Sequence, residues 1–257
     1  MEAYVVQAGL PPESVEPVGW TVWDAVGVLV TWLMLQVVLQ ITAFIVAGVL
    51  GLPPADPLVL AGLLCATSTV LVGLTVTWVR VRARGAEALR SLVGEHRPTW
   101  GDAVAGILYG IIGTVLITFA LEIGLTLLLR SLGIQLSPPQ EQLRALVTGS
   151  AAPVAIIAIV GLAPLGEELF FRGMLFQAIQ GRLGFWPAAT ASGTVFGLAH
   201  VISNRFGVEQ AFLALVTAVL GIYLAWIFRR RGTLLAPVLV HAAFNTLGIV
   251  LIRANLG

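Results

Sequence analysis

The chain has 257 residues, of which 58% are hydrophobic and 11% charged, and its mean hydropathy is +0.97. A soluble domain of this length cannot bury so much apolar surface, so the composition excludes an ordinary water-soluble enzyme and predicts an integral membrane protein. The net charge of +1 provides no basic surface for nucleic acid. A single cysteine, Cys65, excludes an internal disulfide and a multi-cysteine metal site.

Seven apolar stretches approach the roughly 20 residues that a helix needs to cross the hydrocarbon core. They lie at about 22–50, 57–79, 103–129, 151–181, 187–204, 209–228 and 233–252. Pro164 removes a backbone donor within the fourth stretch, which predicts a broken or tilted helix there. The fifth is short and rich in Gly and Ala, as is typical of a segment buried among other helices. The sequence therefore predicts an all-α, polytopic transmembrane helix bundle of about seven spans, within a range of six to eight.

Arginine is distributed unevenly between the connecting segments. If the N-terminus is cytoplasmic, the inner segments hold nine arginines and the outer segments four. The inner set is Arg80, Arg82, Arg84, Arg90, Arg97, Arg182, Arg229, Arg230 and Arg231. The outer set is Arg130, Arg144, Arg205 and Arg253. Because positive residues concentrate in cytoplasmic loops, this distribution predicts a cytoplasmic N-terminus. The Ala/Gly/Val/Leu-rich composition, with Arg but no Lys, favours a prokaryotic plasma membrane.

The chain divides into two regions by the character of its polar residues. Residues 1–150 hold spans one to three, and we expect them to include an inner Arg-bearing loop and a short outer helix. Residues 80–101 predict an amphipathic helix or an exposed loop at the inner lipid headgroups. Residues 137–147, which begin S-P-P-Q-E, predict a helix at the outer surface. Residues 151–257 hold the intramembrane polar residues and form the predicted catalytic helix core.

Two adjacent carboxylates and an arginine interrupt the apolar fourth span. Charged side chains at membrane depth are costly and by default indicate a functional site. Arg172 lies four residues after Glu168, nearly on the same helical face, so these two residues are expected to form a buried ion pair. Glu167 points in a different direction, which leaves it free to meet solvent or substrate. We therefore interpret Glu167 as a candidate general base and Glu168 with Arg172 as its support.

The two histidines in the predicted spans lie at a depth that matches Glu167. At about 1.5 Å per residue, Glu167, His200 and His241 lie roughly 15–23 Å from the inner ends of their helices. They can therefore share one layer of the bundle. Asn245 lies four residues after His241, on the same helical face, and Phe196 lies four before His200 as an expected packing support. Taken singly, each polar residue is also explained by helix packing; their common depth favours a site.

The same residues form three motifs that resemble one known family. The motifs read E167-E-L-F-F-R172, F196-G-L-A-H200 and H241-A-A-F-N245. In this order and spacing they are similar to the CAAX-protease and bacteriocin-processing family, also called the Abi or type II CAAX prenyl endopeptidase family. The resemblance covers about residues 151–250. It implies an intramembrane endopeptidase that cleaves membrane-associated proteins or peptides, prenylated ones among them, near their C-terminus.

The resemblance also implies a role for each site residue. Glu167 with His200 would activate a water molecule for attack on a peptide carbonyl. His241 and Asn245 would stabilise the resulting oxyanion, and Glu168 with Arg172 would hold Glu167 in place. The expected partners are a peptide or membrane-protein substrate and the surrounding lipid. No pattern in the sequence predicts an oligomeric state.

The cofactor requirement has two alternatives at this point. Two histidines and one glutamate can supply three zinc ligands and leave a fourth position open. The sequence lacks H-E-x-x-H, the helical zinc motif. A glutamate and histidine site that needs no metal explains the same residues equally well.

Two other functions compete with a protease. A protein of the same fold without catalytic activity would act as an immunity factor or as a scaffold for a partner. A proton-coupled transporter is the third hypothesis, since intramembrane Glu and His also form proton relays. Paired broken helices in inverted repeats would indicate a transporter, and the sequence shows no such repeat.

Overall fold

The computed structural model describes residues 18–83, 86–134, 141–201 and 207–254, and their regular structure is helical. The helices before the fourth predicted span are α1 (Val22–Leu50), α2 (Pro57–Arg82), α3 (Ala86–Val93), α4 (Trp100–Val115), the π-helical segment π1 (Leu116–Ile123), α5 (Gly124–Ser131) and α6 (Glu141–Thr148). They are followed by α7 (Ala152–Ile157), π2 (Ala158–Leu162), α8 (Ala163–Glu168), π3 (Leu169–Phe176), α9 (Gln177–Leu183), α10 (Phe185–Ala199), α11 (Val208–Arg231) and α12 (Leu235–Arg253).

Six helices in the described part of the chain are long and apolar enough to cross a membrane. They are α1, α2, α4 with the start of π1, the run from α7 to α9, α11 and α12. The predicted fifth span is α10, which at 15 residues is shorter than a full crossing and packs along α11. The prediction of an all-α polytopic bundle of about seven spans is confirmed, and the chain is an integral membrane protein.

One end of the bundle is held by two matching capping arrangements. Thr21 and Asp24 form a capping box at the start of α1, and Thr99 and Asp102 form another at the start of α4. Both aspartates are buried, and each accepts a hydrogen bond from an arginine in the last turn of a neighbouring helix. Arg82 Nε lies 2.8 Å from Asp24 Oδ1, and Arg231 Nη2 lies 2.7 Å from Asp102 Oδ1. We call this end of the bundle, marked by Arg82 and Arg231, the Arg-rich end.

The connection from α3 to α4 is fastened to the turn between α11 and α12 at the same end. The N–H of Glu95 donates to the carbonyl of Gly232 at 2.8 Å, and the N–H of Leu234 donates to the carbonyl of Val93 at 2.9 Å. Gly94 has a φ of +129°, and a Cβ there would overlap the carbonyl oxygen of Gly232. Only glycine fits this approach. We call the paired segments 93–96 and 231–234 the clasp.

Residues 152–183 form one continuous helical run that passes through Pro164. The predicted break at this proline is wrong. The turn just before it widens to π geometry, in which the N–H of Ala163 donates to the carbonyl of Ala158, five residues back. A π-turn lets the helix continue past a residue without an N–H, because the backbone hydrogen bonds of that turn have already shifted from four to five residues.

For residues 80–101 the sequence predicts an inner loop, with a short helix as the alternative, and the structure has the helix α3 there, whose Leu92 is buried against the bundle. The predicted outer helix corresponds to α6, Glu141–Thr148, while the expected start at residues 137–140 lies outside the described ranges. The division into regions 1–150 and 151–257 stays a prediction. Across that boundary, α4 packs along α12 and α2 packs against α8, so helices of the first region support those that carry the polar residues.

Candidate active site

Glu168 and Arg172 form the predicted ion pair inside the bundle. Arg172 Nη1 lies 3.0 Å from Glu168 Oε1, and both side chains are 0% exposed. The second guanidinium nitrogen, Nη2, donates to the carbonyl of Gly221 on α11 at 3.0 Å. Removing one partner of a fully buried pair would leave an uncompensated charge. The pair therefore fixes the end of α8 and the start of π3 relative to α11.

Glu167 faces both histidines instead of the arginine. Its Oε2 lies 3.8 Å from Nε2 of His200 and 3.8 Å from Nε2 of His241. The Glu167 and His200 side chains are 25% and 30% exposed, whereas His241 is 3% exposed. Oε2 itself is buried, and no hydrogen-bond partner for it lies among the described residues. The structure thus brings together the three side chains whose depths match in the sequence.

Each histidine is oriented by a hydrogen bond from its Nδ1. His200 Nδ1 donates to the carbonyl of Phe196 at 2.8 Å, and His241 Nδ1 donates to Glu168 Oε1 at 2.9 Å. Since Nδ1 carries the hydrogen in both rings, Nε2 is the nitrogen presented to Glu167.

The ring of Phe196 packs against several side chains of the site. Its centroid lies 4.6 Å from that of His200 and 5.5 Å from that of His241. The guanidinium carbon of Arg172 lies 4.6 Å from the same centroid, in a cation–π contact. Phe196 is fully buried. Phe196, the expected packing support, therefore contacts Arg172 as well as both imidazoles.

Asn245 lies on α12 one turn after His241, as the sequence predicts, but its amide is engaged away from Glu167. Its Nδ2 donates to the carbonyl of Ile159 in π2 at 2.8 Å. This contact links α12 to the helical run that carries the two glutamates. The oxyanion role that the family resemblance implies for His241 and Asn245 stays a prediction.

Three residues outside the motifs hold the π-helical segment that carries Arg172. Ser192 Oγ donates to the carbonyl of Phe171 and Trp20 Nε1 to the carbonyl of Met174, each at 3.0 Å, while Gln177 Nε2 donates to the carbonyl of Gly173 at 2.8 Å. Widened helical turns leave carbonyls available for such donors. The sequence analysis missed these residues. No periodicity in an apolar run signals a π-turn, so none of the three had a usable signal.

The site residues do not form a metal-ligand shell. Among the described residues, no three His, Cys, Asp or Glu side chains come together in an arrangement suited to a metal ion. Glu167 Oε2 is 3.8 Å from each Nε2, and Cys65 is remote in sequence on α2. Glu122 lies in π1 and is not assigned to the site.

A separation of 3.8 Å between an oxygen and a nitrogen is too long for a direct hydrogen bond and short enough for one water molecule to contact both. The arrangement offers such a water a carboxylate oxygen and imidazole nitrogens, with two of the side chains partly exposed. Chemically, this set can accept a proton from a bound water and return it to a leaving group.

Comparison with known proteins finds one family over this region. Residues 149–247 match the family model described as type II CAAX prenyl endopeptidase Rce1-like. No solved structure matches the chain. The matched residues include all six site residues predicted from the sequence and end just beyond Asn245.

Curated relatives match the same region. CAAX prenyl protease 2 of Homo sapiens is 34% identical over 108 residues, covering 37% of this chain and 32% of the human protein. YdiL of Bacillus subtilis, named as a candidate membrane peptidase, is 28% identical over 101 residues, covering 39% of this chain and 38% of that protein. An uncharacterized 24.3 kDa protein of Escherichia coli is 31% identical over 132 residues, covering 50% of this chain and 58% of that protein.

The chain thus covers between about a third and three fifths of the length of these relatives. The matched part includes the run from α7 to α9, α10, α11 and most of α12. The part of this membrane protein that carries the candidate site, residues 149–247, is thus similar to the Rce1-like type II CAAX prenyl endopeptidase family.

Proposed function

We propose that the protein is an intramembrane endopeptidase that hydrolyses a peptide bond near the C-terminus of membrane-associated proteins, prenylated ones among them. The observation that carries this proposal is the position of Glu167 Oε2, 3.8 Å from Nε2 of both histidines, in a partly exposed site within the bundle. The family match and the name of the human relative support the reaction class and the substrate class.

Glu167 and His200 are the partly exposed members of the site, so they receive the water. The water donates one hydrogen to Glu167 Oε2 and the other to His200 Nε2, which leaves its lone pair free for the substrate carbonyl. As the new carbon–oxygen bond forms, Glu167 takes the proton. It then gives that proton to the departing amine when the carbon–nitrogen bond breaks. One carboxylate thus serves both proton transfers.

His241 stabilises the negative charge that develops on the substrate oxygen. With both ring nitrogens protonated, it donates Nδ1–H to Glu168 and Nε2–H to the oxyanion. Arg172 pairs with the second carboxylate, that of Glu168, at 3.0 Å within the bundle. Oriented donors in a site sheltered from bulk water are worth about 3–4 kcal/mol each at a developing oxyanion.

We also propose that the Arg-rich end faces the cytoplasm. The ion pairs of Arg82 and Arg231 lie at the same end of the bundle as the starts of α1 and α4. Under the positive-inside rule this places the N-terminus inside the cell. Substrate would then be a peptide or protein segment that reaches the site within the membrane.

Cleavage of a quenched fluorescent farnesylated peptide by the purified protein in detergent tests the activity. Wild type, Glu167→Gln, His200→Ala and Thr246→Ala are compared, each with and without a chelator, and folding is checked by thermal unfolding. Thr246 is a matched control because it is exposed on α12 and its hydroxyl bonds only to its own helix. We expect Glu167→Gln to abolish cleavage, His200→Ala to reduce it by about 10²–10⁴-fold, and Thr246→Ala to leave it unchanged.

Each other outcome has a defined meaning. Full cleavage by Glu167→Gln would overturn the proposed role of the glutamate. Loss of cleavage with chelator and recovery with zinc would place the two histidines in a metal shell formed only on binding. No cleavage of farnesylated or unmodified peptides by folded wild type would favour the scaffold or immunity function.

A further inference from the structure

The helical run that carries Glu167 contains a carbonyl that its own backbone cannot satisfy. In π2, the N–H of Ala163 donates to the carbonyl of Ala158, five residues back. The next bond of the same ladder would run from residue 164 to the carbonyl of Ile159. Residue 164 is proline and has no N–H. The carbonyl of Ile159 is therefore left without a backbone donor at membrane depth, where an unpaired polar group is costly.

A side chain from another helix satisfies that carbonyl. Asn245 Nδ2 lies 2.8 Å from the Ile159 oxygen, although the two residues are 86 positions apart in the chain. The donor comes from α12, the helix that also carries His241. An amide nitrogen is well suited here because it is uncharged and offers an N–H like the one that proline lacks.

This bond lies next to the reacting groups on both of its helices. Pro164 precedes Glu167 by three residues, and Asn245 follows His241 by four. One turn away, His241 Nδ1 bonds Glu168 Oε1 at 2.9 Å. Two hydrogen bonds, one helical turn apart, therefore join α12 to the run from α7 to α9. Together they set the distance between Glu167 and His241.

We propose that Asn245 is a positioning residue: it supplies the donor that Pro164 lacks and thereby fixes Glu167 relative to His241. One of the two hydrogens of Nδ2 serves the Ile159 carbonyl in this role. The effect on catalysis rests on the proposed function. The replacement of the N–H that Pro164 lacks by the Asn245 amide does not rest on the proposed function. It can be measured in a protein without any activity.

A double-mutant cycle of Asn245→Ala and Pro164→Ala tests the proposal. Asn245→Ala removes the side-chain donor, and Pro164→Ala restores a backbone N–H that can reach the same carbonyl. We expect Asn245→Ala to lower kcat by about 10- to 100-fold with little change in KM, because a small misplacement of Glu167 affects the reacting geometry and not substrate binding. The kcat of the double variant should be at least about tenfold higher than that of Asn245→Ala alone. An oxyanion donor would show no such rescue, which would overturn the proposal.

Two measurements make the cycle independent of catalysis. Thermal unfolding in detergent should show that Asn245→Ala costs more in the wild-type background than in the Pro164→Ala background. Hydrogen exchange of peptides from 158–168 should be faster in Asn245→Ala and slowed again in the double variant. Additive effects in both measurements would overturn the proposal even if no substrate is cleaved. Coupling in both, together with a fully active Glu167→Gln, would uphold it while refuting the protease mechanism.

Discussion

Nδ1 of His241 lies 2.9 Å from Oε1 of Glu168, the same oxygen that accepts Arg172 Nη1 at 3.0 Å. One carboxylate oxygen thus accepts hydrogen bonds from an imidazole and from a guanidinium that lie on two different helices. The preceding glutamate, Glu167, accepts neither of these hydrogen bonds and is partly exposed. Two adjacent and chemically identical residues therefore have different surroundings, because Glu168 is held by two fixed donors and Glu167 is partly exposed beside two histidines.

Replacing Arg172 by methionine is expected to destabilise the protein by about 3–5 kcal/mol, because Glu168 would stay buried with its charge uncompensated. Methionine keeps much of the volume and the contact with Phe196. The measurement is denaturation in detergent, with helicity as the signal. The control is Glu95→Gln, which breaks the Glu95–Arg229 pair, where the glutamate side chain is 70% exposed. That pair should contribute about 0–1 kcal/mol. Equal effects of the two variants would contradict the structural importance of the buried pair.

Replacing Gly197 by alanine is expected to separate α10 from α11. A Cβ at this position would overlap the carbonyl oxygen of Ala214, and a backbone atom cannot turn aside as a side chain can. His200 lies three residues farther along the chain, directly after the end of α10, so its distance from Glu167 should increase. We expect lower thermal stability together with a large loss of activity. Gly248→Ala is the matched control because no atom lies within 4 Å of its added Cβ. A folded, fully active Gly197→Ala protein would contradict the packing described for this helix pair.

Residue spacing accounts for much of the site. The i, i+4 relation predicts the Glu168–Arg172 pair, and helix rise predicts that Glu167, His200 and His241 share a layer, because both depend on regular helix geometry alone. The structure has both relationships. Hydropathy likewise predicts the bundle, since a span of lipid-facing residues has few alternatives to a helix.

Other features depend on contacts that no local pattern encodes. Pro164, which predicts a break, instead follows a π-turn within a continuous helical run. Asn245 from another helix donates to the carbonyl of Ile159, which the proline cannot reach with an N–H of its own. The short span α10 covers Phe185–Ala199 and packs along α11, a helix that follows it in the chain. The donors Trp20 and Ser192 reach carbonyls of π3 from positions distant in sequence. Each of these requires the tertiary structure.

Cysteine labelling tests the proposed orientation. In a Cys65→Ala background, Glu87→Cys on α3 and Ser131→Cys at the end of α5 both place a thiol at an exposed position. Glu87 lies near the Arg-rich end and Ser131 near the opposite end of the third span. In intact cells, a membrane-impermeant maleimide should label the Ser131→Cys variant and not the Glu87→Cys variant. In inverted vesicles the labelling should be reversed. The opposite pattern would place the N-terminus outside.

His96 makes the stability of the clasp depend on pH. Its Nδ1 lies 2.8 Å from the carbonyl oxygen of Arg97 and its Nε2 lies 2.8 Å from that of Arg231. Both partners only accept, so both bonds form only when the ring carries two hydrogens. These carbonyls, Arg97 first and then Arg231, raise the pKa of His96 above its ordinary value of 6.5, and the nearby charges of Asp102 and Glu95 act in the same direction.

A pKa that is higher in the folded than in the unfolded protein means that folding favours the proton. The stabilisation by His96 is therefore fully present below about pH 6.5 and is lost as pH rises through the folded pKa. The measurement is the difference in Tm between wild type and His96→Gln from about pH 5.5 to 9, in which titrations common to both proteins cancel. We expect wild type to be more stable at the acid end and the difference to shrink toward alkaline pH. A difference that is constant, or that grows with pH, would show that the protonated ring does not join the two carbonyls of the clasp.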